Sequence, residues 1–213
     1  MAENKFQEIY TLLYEHFGPQ DWWPGDSPFE IMVGAVLTQN TNWENVRKAI
    51  ANLKEAGMLS FSALSALHVD ELAQFIKPSG YFNIKAKRLQ NLLQMISERY
   101  NSRLELFLET DLPTGREALL SVKGIGPETA DSILLYAANH PIFVVDTYTH
   151  RIFSRHMLTA EETDYHSLQE EFHDRLPAQS ALYNEYHALL VTLGKKYCRK
   201  TNPRCAQCPL QGV

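Results

Sequence analysis

Four groups of residues in this 213-residue chain have types and spacings that could do chemistry. The first is Asp146, set between the apolar run Ile142-Phe143-Val144-Val145 and the helix-like stretch Thr147-Tyr148-Thr149. Its plain reading is a helix N-cap. Its chemical reading is a carboxylate that stabilises positive charge and orients or deprotonates a water, kept ionised by the helix N-terminus. The second group is Lys123-Gly124-Ile125-Gly126, twenty residues upstream of Asp146 as counted from Gly126. Two glycines permit a tight turn with positive φ and close backbone approach. Pro127 then opens a helix whose free N–H groups suit a phosphate, although an ordinary αα-corner would read the same way.

The third group is aromatic. Trp22, Trp23 and Trp43 are the only tryptophans, and Pro24 follows the first two. Any one of them could be core. The fourth group is Cys198, Cys205 and Cys208, all within the last sixteen residues. An odd, crowded set suggests a metal rather than a disulfide framework. Three thiols with a borrowed His or Asp could also hold zinc.

The elements that must carry these groups are helical. Phe6, Ile9, Tyr10, Leu13 and Phe17 form one apolar stripe. Ser27-Pro28-Phe29-Glu30, Thr41-Asn42-Trp43-Glu44 and Thr114-Gly115-Arg116-Glu117 read as capping boxes. Ile31 to Leu37 is apolar all round and predicts a central buried helix. Asn83 is expected to cap an amphipathic helix reaching Tyr100, and a weaker pattern covers Ser62 to Ile76. Two further helices are expected over about 161–175 and 178–197. Strict alternation is almost absent, so the chain reads as all-α with about ten helices.

The chain is 45% hydrophobic and 21% charged, enough for a substantial core. Its net charge of −5 excludes nucleic-acid binding by bulk charge, but not by a local basic face. Such a face is present: no acidic residue lies between 186 and 213, while Lys195, Lys196, Arg199, Lys200 and Arg204 do. Lys85, Lys87 and Arg88 form a second candidate patch. No apolar run could span a membrane, and a soluble, cytoplasmic protein is expected.

Leu120 to Ala130, Val144-Val145-Asp146-Thr147-Tyr148, Leu37-Thr38-Gln39-Asn40-Thr41 and Gly80 to Lys87 together resemble the helix–hairpin–helix (HhH-GPD) DNA glycosylases of the endonuclease III superfamily. The double Trp-Pro and Trp43 are most similar to its 3-methyladenine DNA glycosylase branch. The resemblance implies a two-lobed all-α fold. A six-helix lobe would span 22–138, and a lobe of terminal helices would take 1–21 and 139–213. It implies excision of a flipped base, with Asp146 catalytic and Trp22, Trp23, Pro24 and Trp43 lining the base pocket. Stacking is worth about 1–3 kcal/mol per base, and a cationic alkylated purine gains more on an indole face. The implied DNA contacts are Gln39, Asn40, Lys123, Gly124, Ile125, Gly126, Arg199, Lys200 and Arg204. The expected partner is double-stranded DNA with a damaged base, bound by a monomer.

Bifunctional relatives carry an amine nucleophile two residues after the hairpin glycine, where this chain has Glu128. A carboxylate cannot form an imine, so a monofunctional enzyme is expected. The alternatives are an endonuclease III-like glycosylase and AP lyase for oxidised pyrimidines, and a non-catalytic DNA-binding module. Cys198-x6-Cys205-x2-Cys208 matches three ligands of the family's 4Fe–4S loop, with the fourth falling at position 214, past Val213. The branch can also carbamylate a lysine near its C-terminal helix, for which Lys195 and Lys196 are both candidates.

Overall fold

The structure is a computed structural model that describes residues 4–23 and 25–213. Its described helices are, in order, α1 Lys5–Phe17, α2 Pro28–Leu37, α3 Trp43–Glu55, α4 Phe61–Ala66, α5 Val69–Phe75, α6 Phe82–Tyr100, α7 Leu104–Leu108, α8 Leu112–Leu120, α9 Pro127–Tyr136, α10 Thr147–Arg155, α11 Tyr165–Arg175 and α12 Ser180–Lys196. Short 3-10 turns cover Lys77–Ser79 and Cys205–Gln207. No strand occurs among the described residues. None of their helices is long and apolar enough to cross a membrane. The chain divides into two units, Met1–Trp23 with His140–Val213, and Pro24–Asn139.

In the Pro24–Asn139 unit, α2 is the centre. Ser27 caps it by accepting from the Glu30 amide, Pro28 starts it, and eight of its ten residues are buried. It packs against α3, α6 and α9. Burial of each large apolar side chain contributes roughly 1.5–3 kcal/mol. Glu30 is buried too, its charge met by Lys54 Nζ at 2.8 Å and its second oxygen by the Asp26 amide at 3.1 Å.

Local signals misplaced several helix starts. Helix α6 is capped by Tyr81, one residue before Phe82, and not by Asn83. Helix α8 starts at Asp111, whose carboxylate accepts from the Thr114 amide; the Thr114 box lies inside it. The 62–76 pattern is two short helices, α4 and α5, capped by Ser60 and His68. Lys85 is not part of a basic surface. It is 1% exposed, and its ammonium donates to Leu37 O at 2.8 Å and Ser79 O at 2.7 Å. It thereby closes the C-terminus of α2.

In the other unit, α1, α10, α11 and α12 enclose an aromatic core. Phe6 meets Phe153 and Phe172 at 4.8 and 4.9 Å, and Phe143 stacks on Phe172 at 3.7 Å. The buried Tyr186 hydroxyl donates to Phe6 O at 2.8 Å. Residues 142–145 are buried in this core without regular secondary structure, and α11 satisfies the backbone of Phe143. The Phe143 N–H donates to His173 Nε2 at 3.0 Å, and Gln169 Nε2 donates to Phe143 O at 2.6 Å. That segment delivers Asp146 to the start of α10.

Burial, and then the nearby Arg88 charge, lower the Lys85 pKa from 10.5 to about 8. Below about pH 8 the folded protein carries the full cost of a buried ammonium. Between 8 and 10.5 the unfolded chain holds a proton that the folded one has released, so stability rises with pH. The span is worth about 3 kcal/mol. Denaturant unfolding at pH 7.5 and 10 should show this rise in wild type and a flatter response in Lys85→Met.

Candidate active site and nucleic-acid interface

Asp146 is the N-cap of α10. Its Oδ1 accepts from the Thr149 amide at 2.7 Å and the Thr149 hydroxyl at 3.0 Å. Its Oδ2 lies 3.5 Å from Nε2 of His187 on α12. Both side chains are almost buried, at 11% and 7% exposure. Burial alone would push the carboxyl upward, but the His187 imidazole and the two Thr149 donors outweigh it and hold its pKa below the usual range. The stability this contributes is present above the unfolded-state pKa and is lost as pH falls through the lower folded one.

The approach of α10 to α12 depends on a missing side chain. A Cβ on Gly194 would overlap the Tyr148 ring. His187, Gly194 and Lys195 are at i, i+7 and i+8, on one face of α12. Lys195 is exposed overall, but its Nζ stands 5.8 Å from the centroid of the Trp22 ring, where partial desolvation lowers its pKa against the opposing pull of the Asp146 charge. Lys196 turns elsewhere, over Phe17 at 5.1 Å. Trp22 and Trp23 meet edge to face at 5.6 Å. Their segment is tied to α12 through Gln20, whose amide donates to Glu185 and whose side-chain oxygen accepts from Thr192. Asp146, His187, Lys195 and Trp22 thus share one unit. Pro24 lies outside the described residues. Trp43, half-buried, opens α3 in the other unit, capped by Asn42.

The hairpin in the Pro24–Asn139 unit joins α8 to α9, which are clasped by Arg116 Nε on the buried Asp131 Oδ1 at 2.7 Å. Only Gly124 has the positive φ expected of both glycines, at 99°, and a Cβ there would meet the Arg88 side chain at 2.5 Å. Gly126 is extended, at φ −98°, with nothing within 4 Å of a built Cβ. As N-cap it has no side chain, so the first N–H groups of α9 receive no side-chain cap.

Two of the residues expected to contact DNA are also held from within the unit. Ile125 is 5% exposed and its N–H donates to Val122 O, so it anchors the turn from inside. Gln39 is spent within the unit. Its Oε1 accepts from Arg88, and its Nε2 donates to Thr129 Oγ1 at 2.9 Å and Gly124 O at 3.2 Å. Asn40 is exposed and left-handed, at φ 53°. Lys123 is exposed beside the turn. Sequence reading passed over Tyr81, which is 68% exposed and left-handed after Gly80, and Ile84, which is 51% exposed one turn on. It also gave His187 no role.

Arg199, Lys200 and Arg204 are exposed on the C-terminal loop. Helix α10 holds that loop. Arg151 Nε donates to Cys198 O at 2.9 Å, and Arg155 donates to Arg199 O at 2.7 Å and Lys200 O at 3.1 Å. Cys198 is buried, Cys205 exposed and Cys208 between them. Burial raises the Cys208 thiol pKa, and the other two cysteines raise it further. Among the described residues no His, Cys, Asp and Glu side chains are grouped to hold a metal ion, and the donor set is one thiolate short of a cluster's four.

A family model, HhH-GPD superfamily base excision DNA repair protein, matches residues 33–178. A Methanocaldococcus jannaschii protein named as a DNA repair glycosylase is 45% identical, over 99% of this chain and 97% of its own. Endonuclease III of Thermotoga maritima is 30% identical, over 86% of this chain and 81% of its own. The crystal structure of H. pylori 3-methyladenine DNA glycosylase bound to 1,N6-ethenoadenine superposes with a TM-score of 0.74 at 32% identity, covering 89% of this chain and 96% of that one.

Gly194→Ala should drive α10 off α12 and lower unfolding free energy by about 1–3 kcal/mol. Gly126→Ala should leave unfolding free energy unchanged or slightly raised. Urea unfolding of the two variants reads both.

Proposed function

This chain belongs to the HhH-GPD superfamily of base excision DNA repair proteins and is a DNA glycosylase acting on N-glycosyl bonds, and from that premise we propose that it is monofunctional and excises alkylated purines of the 3-methyladenine type. The observation that carries this reading is the pairing of an ionised, nearly buried Asp146 with an exposed Glu128 where a lyase would hold its amine. The carboxylate stabilises the positive charge that grows on the sugar as the C1′–N bond breaks. The bonding pair leaves with the base, and an alkylated cationic purine departs neutral. Water adds to C1′ and loses its proton to Asp146 or to solvent.

Trp22, Trp23 and Trp43 are assigned to stacking, Trp22 being the one next to the α12 face. Tyr81 and Asn40 have the exposure to enter a duplex that has lost a base from its stack. The Gly126 end of α9 and Lys123 would take a backbone phosphate, as would Arg199, Lys200 and Arg204. Of the two lysines open to carbamylation, Lys195 is favoured: its lowered pKa frees more amine to add carbon dioxide and release a proton. The anionic carbamate would suit a cationic base. The units Pro24–Asn139 and Met1–Trp23 with His140–Val213 would form the six-helix and terminal-helix lobes. The spacing of the three cysteines supports a 4Fe–4S cluster on Cys198, Cys205 and Cys208, its fourth ligand coming from outside this set. Such a cluster would brace the basic loop, and no step of excision runs through it.

Release of free base from alkylated duplex, with none from oxidised pyrimidines and no borohydride-trapped adduct, is the expected outcome. A trapped imine would establish the endonuclease III-like alternative. Asp146→Asn keeps a capping side chain but loses the charge, and excision should fall at least about 100-fold with DNA binding retained. A non-catalytic module would lose nothing. Iron and acid-labile sulfide assays on anaerobically purified protein should find four of each per chain; a colourless, iron-free protein removes the cluster from this proposal.

A further inference from the structure

We infer that His187 is a positioning residue for base excision, holding the Oδ2 edge of Asp146 from α12 while Thr149 holds the Oδ1 edge. The inference rests on the reading that Asp146 is the active carboxylate. Capping α10 needs one carboxylate oxygen, and Oδ1 already accepts both Thr149 donors. His187 therefore adds nothing to the cap. It approaches the other oxygen, at 3.5 Å. An imidazole that is 5% exposed, on a helix whose neighbours Ala188, Leu189 and Leu190 are all buried, is costly where an apolar side chain would pack. The face that carries it is the face that Gly194 opens to Tyr148. The groups acting on Asp146 are thus His187 and Lys195 from α12 and the uncharged Thr149 from α10. Of these, His187 is the one in ion-pair reach. With Oδ1 bonded to Thr149 and His187 standing 3.5 Å from Oδ2, rotation of the carboxylate plane is opposed from two helices. Its charge stays in one place while the sugar's charge develops.

The test compares wild type with His187→Gln and His187→Leu. The Asp146 carboxyl carbon is titrated by NMR in DNA-free protein, and single-turnover excision from alkylated duplex is followed against pH. In the Leu variant the carboxyl midpoint should rise by roughly one pH unit or more, with the acid limb of the excision profile moving up alongside it. The Gln variant keeps an amide donor and should shift less. Affinity for the duplex should not change in either. A midpoint and limb that stay at their wild-type positions overturn the assignment, even if the variant loses stability. If the Leu variant does not fold, the Gln variant decides. The NMR midpoint needs no excision, so an Asp146→Asn enzyme with full activity would defeat the reading of Asp146 without deciding the role of His187.

Discussion

The first turn of α10 rests on α12, and the rest of this unit follows from that contact. A carboxylate cannot be left almost buried unless polar groups meet it, and here they come from two helices whose close approach at Tyr148 leaves no room for a side chain at residue 194. Upstream, the buried segment 142–145 crosses an aromatic core. At Phe143 its backbone is satisfied by Gln169 and His173 of α11. The aromatic core, the buried segment and the α10–α12 contact therefore support one another, and Asp146 sits where they meet.

The other unit solves a different problem, presenting backbone rather than a charged side chain. Its hairpin is over-determined from within. Arg88 fills the space under Gly124, Gln39 ties the turn after α2 to the same loop, Ile125 is sunk in the core, and Arg116 clasps α8 to α9. The outer side, at Gly126, is left bare. A hairpin braced on one side and bare on the other suits the phosphate contact proposed for it, because groups that must reorganise on binding give up part of the gain.

The legibility of the sequence followed the range of each interaction. Asp146 as a cap could be read from an apolar run, an aspartate and a threonine three residues on, because N-cap chemistry is local. The central helix α2 was legible for a similar reason: burial on all sides leaves no polar stripe. His187 was not legible, because one histidine in an apolar helix says nothing until the partner helix is known. Lys85 looked like surface beside Lys87 and Arg88, yet the carbonyls of Leu37 and Ser79 draw it inside. Gln39 and Asn40 looked equivalent, and only the fold separates the anchored amide from the exposed one. The starts of α6 and α8 were misread because several residues there could cap, and tertiary packing chose among them.

Helix α10 carries Asp146 at its head and, at residues 151 and 155, the guanidinium groups that grip the basic loop. At 1.5 Å per residue, roughly 13 Å of helix axis separates positions 146 and 155. The helix is therefore a ruler between the carboxylate and the loop. Side chains along it can be exchanged one for another. An inserted or deleted residue, however, would turn the two arginines by about 100° around the axis and swing the loop off its seat, so evolution can repaint this ruler but not change its length.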